Sequence, residues 1–250
     1  MMNKPRILFW HRKDLRIFDN QALIKAFSLS NAITSTYIFD KNYSHDFNAS
    51  SRAWFLVNSL QELGNNWKKM GSRLVIEEGD PVLIIPQLAK KIDAKFVFWN
   101  RSIEPYEINR DLQIKKFLKE QNIQIIDTWD HLLIEPLKIF SGNNNPYSVY
   151  GPFYKNLKSK LDSLGSYDQD KVVFEFKDID NKLKENKTIK SSDLVLEKFV
   201  KNLKFPGSNI CPCRPGENAA ETLLENFINE KKIYNYYSAR DFLPITGHHF

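Results

Sequence analysis

The sequence has 250 residues, enough for one large or two modest domains, and its 42% hydrophobic and 13% aromatic content is typical of a folded protein. This composition excludes a disordered or fibrous chain, and the lack of any run of about 18 apolar residues argues against a membrane span. A net charge of +6 suits contact with a polyanion, although a lysine-rich surface alone explains that charge at least as well.

Two features of the chain indicate its compartment. The first apolar segment begins at Ile7 and is soon interrupted by charges, which is too early and too short for a secretory signal. Cys211 and Cys213 are separated by Pro212 alone, and this spacing is too short for an ordinary disulfide. Two cysteines are also too few ligands for a zinc site. We therefore expect a cytoplasmic protein with free thiols.

The first half of the chain alternates short β-rich runs with longer helical periods. The predicted strands are residues 7–10, 33–39, 73–77, 96–99 and 123–126, and the predicted helices are residues 21–28, 51–69, 81–91 and 105–121. Asp80 followed by Pro81 is typical of a helix N-terminus. The alternation predicts an α/β fold with a doubly wound, Rossmann-like parallel sheet of five strands and right-handed crossovers.

The second half differs in composition and predicts two further units. Turn-forming residues at 141–146 mark the exit from the first domain, which we assign to residues 1–135. Residues 136–206 read as a connector with one or two short helices, because their later part is rich in Lys, Asp, Ser and Asn. Helical periodicity returns at residues 217–237, so residues 207–250 are predicted to begin a second, all-helical domain.

The charged cluster that follows the first strand is the most informative segment. An apolar strand runs directly into Trp10-His11-Arg12-Lys13-Asp14-Leu15-Arg16 and then Asp19-Asn20, so a buried strand ends at a polar mouth. Neither a G-x-G-x-x-G motif nor a P-loop follows this strand, and the usual phosphate cradle is therefore absent. For two of these residues a purely structural role is an equal alternative to a functional one. In that alternative, Asp14 and Arg16 pair with each other and brace the turn.

This cluster resembles the start of the photolyase/cryptochrome family, whose members carry the pattern Trp-x-Arg-x-Asp-Leu-Arg-x-x-Asp-Asn after their first strand. Further segments follow in the family's order and spacing, at residues 60–63, 71–74, 79–81, 99–106 and 145–153. Their ordered succession covers nearly the whole chain. The resemblance is strongest to cyanobacterial photolyases that use a deazaflavin antenna and repair cyclobutane pyrimidine dimers in DNA.

The resemblance implies that the α/β domain binds an antenna pigment and passes excitation to a flavin in a helical domain. The pigment would contact Tyr37, Arg52, Leu56, Ser102 and Glu104, with Glu104 accepting a hydrogen bond. Deazaflavin binders carry an aspartate where this chain has Ser102, which alters that contact. A folate antenna is less favoured, because the Asn-Glu pair that commonly holds folate is replaced by Tyr106-Glu107. In the alternative interpretation, the Glu104 carboxylate contacts no pigment and only interacts favourably with the dipole of the helix that follows it.

The end of the chain resembles the entry to the family's flavin domain. By that match Tyr236 would touch FAD and Arg240 would approach DNA, or the two would form an ordinary exposed pair four residues apart. After Gly247 the family continues with about two hundred helical residues, whereas this chain reads His248-His249-Phe250 and ends. No catalytic residue is therefore assigned, and we expect FAD only if a separate flavin-domain subunit supplies the missing half. A metal site at His248 and His249 is not expected.

Several functions remain open at this point. The main prediction is the light-harvesting part of a deoxyribodipyrimidine photolyase that is not catalytic alone. The alternatives are a cryptochrome-like blue-light photoreceptor fragment, a nonfunctional truncated remnant, and an unrelated nucleotide-binding α/β module. The five tryptophans are predicted to pack in the core and on the surface rather than to form an electron-transfer chain, since the family's relay tryptophans lie in the flavin domain.

Overall fold

The computed structural model of this chain describes residues 4–40, 50–136, 138–163 and 214–230, together with Tyr234 and Tyr236. The described residues form five strands: β1 (Ile7–His11), β2 (Ile33–Asp40), β3 (Leu74–Gly79), β4 (Phe96–Asn100) and β5 (Gln124–Thr128). All five predicted strands are present, each shifted or extended toward its carboxyl end. The extensions arise because the strand ends are polar, and periodicity of apolar residues does not reveal polar residues that still pair.

The helices are α1 (Gln21–Leu29), α2 (Ser50–Lys69), α3 (Pro81–Lys91), α4 (Pro105–Glu120), α5 (Tyr150–Ser163) and α6 (Glu217–Asn229). The predicted N-cap of α3 is confirmed, because the Asp80 side chain accepts a hydrogen bond from the Val82 amide at 2.9 Å. Asn20 caps α1 in the same way through the Leu23 amide, at 3.2 Å. Helix α5 lies in the predicted connector. Of the predicted helix at residues 217–237, the described part is α6 and the helical positions 234 and 236.

The sheet is entirely parallel, with strand order β3-β2-β1-β4-β5. The chain winds outward from β1 to β3, then returns to the other side of β1 for β4 and β5. The order of the strands therefore reverses beside β1, and a crevice opens there at the carboxyl edge of the sheet. Ligands of doubly wound sheets bind at such a reversal. The predicted α/β fold is confirmed.

Two apolar layers hold the helices on the sheet. Alternate residues of β1 face opposite sides: Ile7 and Phe9 pack under α1 and α2, while Leu8 and Trp10 pack under α3 and α4. Trp67 and Trp99 are completely buried in these layers and Trp10 nearly so, which confirms that these tryptophans belong to the core. Because both faces are covered, the strands read as continuous hydrophobic runs. None of the helices described is long and apolar enough to span a bilayer.

Candidate ligand site at the carboxyl edge of the sheet

His11 ends β1 as a completely buried residue with both ring nitrogens engaged. Its Nε2 atom lies 3.0 Å from the indole Nε1 of Trp67, which can only donate, and its Nδ1 atom lies 3.0 Å from the carbonyl oxygen of Asp14, which can only accept. The imidazole must therefore be neutral with its proton on Nδ1. Burial lowers the pKa of His11, and it outweighs the opposing charge and carbonyl of Asp14.

Asp14 is the hub of a buried polar network at the same strand end. Its Oδ1 atom accepts the Arg12 amide at 2.8 Å, and its Oδ2 atom accepts the side-chain amides of Asn20 at 3.0 Å and Asn100 at 2.6 Å. The Asn20 oxygen also accepts the Asn100 amide at 2.8 Å. This network joins the ends of β1 and β4 to the start of α1, and it makes the edge of the sheet rigid.

Asn100 and Arg16 extend the bracing toward β5. The Asn100 side-chain oxygen accepts the Ala22 amide at 3.1 Å and the Thr128 hydroxyl at 2.7 Å. Arg16 pairs with Asp130 at 2.8 Å. The structural explanation for this turn is thus correct in that its residues brace it, but Asp14 and Arg16 each use other partners instead of pairing with each other.

A second charged cluster lies between β2 and α4. Arg110 contacts Asp40 at 3.2 Å and Asp111 at 3.3 Å, and its guanidinium lies 4.7 Å from the ring centre of Trp10. The Nη1 atom of Arg12 donates to both carboxylate oxygens of Asp111, at 2.8 and 3.0 Å, and its Nη2 atom donates to the carbonyl of Asn100. Burial raises the pKa of Asp111, even though both arginines favour its charged form. The two arginines make a fixed cationic wall behind the crevice.

Glu107 is the buried carboxylate at the centre of the crevice. Burial alone would raise its pKa, but a hydrogen bond from the Ser102 hydroxyl and the charges of Arg12, Lys13 and Arg110 hold the pKa below its ordinary value. The Glu107 carboxylate lies 3.5 Å from the Lys13 ammonium. Glu107 is therefore ionised at neutral pH, beside the cations of Arg12, Lys13 and Arg110.

Lys13 is the residue around which the crevice is organised. Three cavities lined by described residues, of about 950, 80 and 60 Å³, all have Lys13 in their walls. Lys13 is 57% exposed, and its contacts with Glu104 at 3.8 Å and Glu107 at 3.5 Å are long. The pair with Glu104 is exposed on both sides and contributes little stability, whereas Glu107 is buried. The Lys13 ammonium therefore lies beside two carboxylates where the three cavities meet.

The structure brings together four of the five residues predicted to contact a pigment. Arg52 and Leu56 line the largest cavity, Leu56 and Tyr37 line the smallest, and Ser102 lines the third. Burial raises the pKa of Tyr37, so its phenol stays neutral. Glu104 is exposed at the start of α4, makes no side-chain cap, and reaches the cavities only through its contact with Lys13.

Tyr236 lines none of the three cavities. Tyr236 is 44% exposed, and its ring meets that of Phe227 edge-on at 6.1 Å. Arg240 lies outside the described residues, as do the two cysteines and the terminal histidines. The predicted contacts of Tyr236 with FAD and of Arg240 with DNA stay predictions.

Ser102 has a role of its own in this chain. Its hydroxyl oxygen accepts the backbone amide of Glu104 at 3.1 Å, and the hydroxyl donates to Glu107. Ser102 thereby ties the loop after β4 to the first turn of α4. A serine can make both bonds because it is donor and acceptor at once, whereas a charged aspartate can only accept.

Sequence reasoning missed the charged residues on α4. The buried stripe of this helix is Glu107, Arg110, Asp111, Ile114 and Leu118, so its first turns are charged and its last turns apolar. The spacing of three and four residues was visible in the sequence. A buried helical stripe that changes from apolar to charged toward the carboxyl edge of the sheet is the signal that would have located the site.

The molecule is thus a doubly wound α/β unit with a charged crevice at the strand-order reversal. A DNA photolyase family model matches residues 7–173, which is most of the chain. A deoxyribodipyrimidine photo-lyase of a Synechococcus species is 36% identical over 244 residues, covering 96% of this chain and 49% of that protein. The chain belongs to the DNA photolyase family.

Solved structures agree with this assignment. A class III photolyase from Agrobacterium tumefaciens is 26% identical, with a TM-score of 0.70 over 92% of this chain and 45% of its own. An archaeal photolyase from Sulfolobus tokodaii with two FAD molecules, implicating a novel light-harvesting cofactor, shares the fold at 21% identity, with a TM-score of 0.64 over 88% of this chain and 46% of its own. Cryptochromes are also among the relatives. The chain spans about half the length of the curated photolyase it matches.

Proposed function

We propose that this chain is the light-harvesting part of a photolyase-type protein and binds a planar antenna pigment at the carboxyl edge of its sheet. The observation that carries the proposal is the set of cavities around Lys13, whose walls contain Tyr37, Arg52, Leu56 and Ser102. The largest cavity, of about 950 Å³, is at the upper end of the range for small-molecule sites. When bound, the pigment would absorb light and pass the excitation on, while the protein supplies position and environment.

We propose a deazaflavin as the pigment in preference to a folate. The positions at which a folate would be expected are engaged within the protein: the Tyr106 hydroxyl donates to Asp40 at 3.0 Å, and Glu107 is held by Ser102 and Lys13. Arg52 and Lys13 offer cations to an anionic or carbonyl-rich ring edge, while Leu15, Phe55 and Leu56 offer an apolar wall to a ring face. A polar edge and an apolar face are the chemistry of a flavin-like tricycle.

The activity of the whole protein, repair of pyrimidine dimers in DNA, would require FAD and a helical half. We propose that a separate flavin-domain subunit supplies that half, in the cytoplasm, and that this chain does not repair DNA alone. Photolyases act on a dimer flipped out of the duplex into a pocket, and that pocket would belong to the helical half. Light-dependent loss of dimers from an oligonucleotide by the purified chain plus FAD would contradict this.

A blue-light photoreceptor fragment is the second candidate, because cryptochromes are among the relatives. A photoreceptor would bind a partner protein differently in light and in darkness, whereas an antenna subunit would bind its flavin subunit equally in both. Co-purification of partners from illuminated and dark cells separates the two functions. Tight binding of ATP or AMP would instead favour a nucleotide-binding module.

The direct test is to titrate the purified chain with deazariboflavin, a reduced folate and FAD in parallel, followed by visible absorption and fluorescence. We expect saturable binding of deazariboflavin. Replacing both Arg52 and Leu56 with alanine should weaken binding at least about tenfold, because the change removes a cation and part of the apolar wall. Lys91→Ala is the matched control, since Lys91 ends α3 at the opposite edge of the sheet. Equal affinity in all three proteins would exclude this cavity as the pigment site.

A further inference from the structure

The first residue of helix α6 bonds this helix to the α/β unit through its carboxylate. Glu217, the first residue of α6, accepts the Ile17 amide at 3.0 Å on both of its oxygens and the Phe18 amide at 2.6 Å on one of them. These amides belong to the turn between β1 and α1, about 200 positions away in the sequence. Charge-assisted bonds to backbone amides are among the stronger hydrogen bonds in proteins. Glu217 therefore docks α6 on the turn that follows β1.

The residue before Glu217 must be small at this joint. Gly216 has a φ of +103°, which side chains disfavour, and a Cβ atom there would lie 1.3 Å from the Oε2 atom of Glu62 on α2. Glu62 would have to move aside for any other residue. The backbone conformation at position 216 thus favours glycine, while the Glu62 carboxylate is the end of a flexible side chain that can turn away.

Docked in this way, α6 forms one wall of the largest cavity. Gly216, Glu217, Ala220, Glu221 and Leu224 face residues 13–19 and the Arg52 and Leu56 side of α2 across it. The cavity is therefore a space between two units that are distant in the sequence. Without α6, the same residues of α2 would be an open surface.

One residue of the cavity wall carries a buried hydroxyl without a partner among the described residues. Ser59 lies in its wall, its side chain is 95% buried, and its hydroxyl oxygen has no hydrogen-bond partner within the described part of the chain. A buried hydroxyl without a partner is costly.

We propose that pigment binding in this cavity and docking of α6 stabilise each other, with Glu217 as the positioning residue that holds the α6 wall in place. The inference rests on the proposed function, because it assumes that a pigment occupies the cavity. Linkage makes the coupling reciprocal: a ligand that touches both walls favours the docked state, and a protein held in that state binds the ligand more tightly.

The test compares the affinity for deazariboflavin of four proteins: the wild type, Glu217→Ala, Glu217→Gln and Glu225→Ala. Removing the carboxylate should weaken binding roughly 5- to 100-fold, the usual range of such couplings. Glutamine keeps an acceptor and should restore part of the affinity. Glu225→Ala is the control, because Glu225 is exposed on the same helix two turns further on and lines none of the three cavities.

Hydrogen exchange at the amides of Ile17 and Phe18 provides a readout independent of affinity. In the wild type, saturating deazariboflavin should slow exchange at both amides severalfold, because it favours the state in which Glu217 accepts them. In Glu217→Ala both amides should exchange fast with or without the pigment. Gly216→Ala should behave in the same way through a different disruption of the joint.

The outcomes separate this inference from the proposed function. If the wild type binds none of the pigments, the proposed function fails. If the wild type binds but Glu217→Ala and Gly216→Ala bind equally well, and exchange at the Ile17 and Phe18 amides does not respond to the pigment, the pigment site stands and the coupling is wrong.

Discussion

Replacing Asp14 with asparagine is expected to lower the free energy of unfolding of the α/β unit by about 3 kcal/mol, because one or two buried hydrogen bonds to a charged group are lost and a buried donor is left facing another donor. Asparagine has a single side-chain oxygen, so its NH₂ group must face either the Arg12 amide or the Asn20 and Asn100 amides. The side-chain NH₂ group of the asparagine would then face another N–H donor at a buried position, and neither donor would have an acceptor. Urea unfolding followed by tryptophan fluorescence measures the effect, since all five tryptophans lie in this unit.

The neighbouring amides cannot relieve this mismatch by turning over. The Asn20 oxygen already accepts the Leu23 amide, and the Asn100 oxygen already accepts the Ala22 amide and the Thr128 hydroxyl, so a flip would break those bonds. Asp19→Asn is the matched control: Asp19 is exposed, and asparagine tolerates its φ of +47°. We expect the control to stay within about 0.5 kcal/mol of the wild type. Equal unfolding midpoints for the two variants would refute the role of Asp14 as hub.

His11 is expected to make the protein less stable as the pH falls below about 6.5. Burial lowers the pKa of His11 in the folded state from the ordinary 6.5, so below that pH the unfolded chain binds a proton that the folded protein does not. The stabilising contribution is therefore complete above pH 6.5 and is lost as the pH falls toward the folded pKa. Its limiting slope is about 1.4 kcal/mol per pH unit.

Two histidine variants isolate this contribution in urea unfolding measured at intervals between pH 8 and 5. His11→Gln should reduce the slope of stability against pH below 6.5 by up to the limiting value, because glutamine does not titrate. Comparison with the wild type cancels other groups, such as Asp111, whose raised pKa acts in the opposite direction. His131→Gln is the control, since His131 is exposed. An unchanged slope in His11→Gln would mean that His11 is protonated in the folded protein.

The two variants matter for function as well as stability. Asp14 and His11 fix the end of β1 through their buried hydrogen bonds. Lys13 lies between them in the chain and borders all three cavities. A site that binds a rigid pigment benefits from walls that are set before binding, since ordering them then costs no affinity. The buried network is the part of this protein that sets those walls.

The sequence by itself determined the α/β unit and its family. The five strands were predictable because buried parallel strands are short apolar runs, and the helices because their apolar residues recur at three and four positions. The motif from Trp10 to Asn20 marked the polar mouth of β1, and the resemblance supported by further motifs implied pigment contacts for Tyr37, Arg52, Leu56, Ser102 and Glu104. Periodicity is a local property of the chain, and the order of motifs is a property of the linear sequence. Both can therefore be recognised without coordinates.

Only the tertiary structure decided how these parts meet. Asp40 and Arg110 are 70 positions apart and Glu217 is about 200 positions from Ile17, and nothing in the spacing of such residues predicts a contact. The tautomer of His11 likewise depends on Trp67, which reaches it from α2. Side-chain partners in a buried crevice are selected by packing, because each donor must find an acceptor among whatever the folded chain brings near. The fold was therefore readable from periodicity, while the charged crevice, the convergence of three cavities on Lys13 and the wall formed by α6 required coordinates.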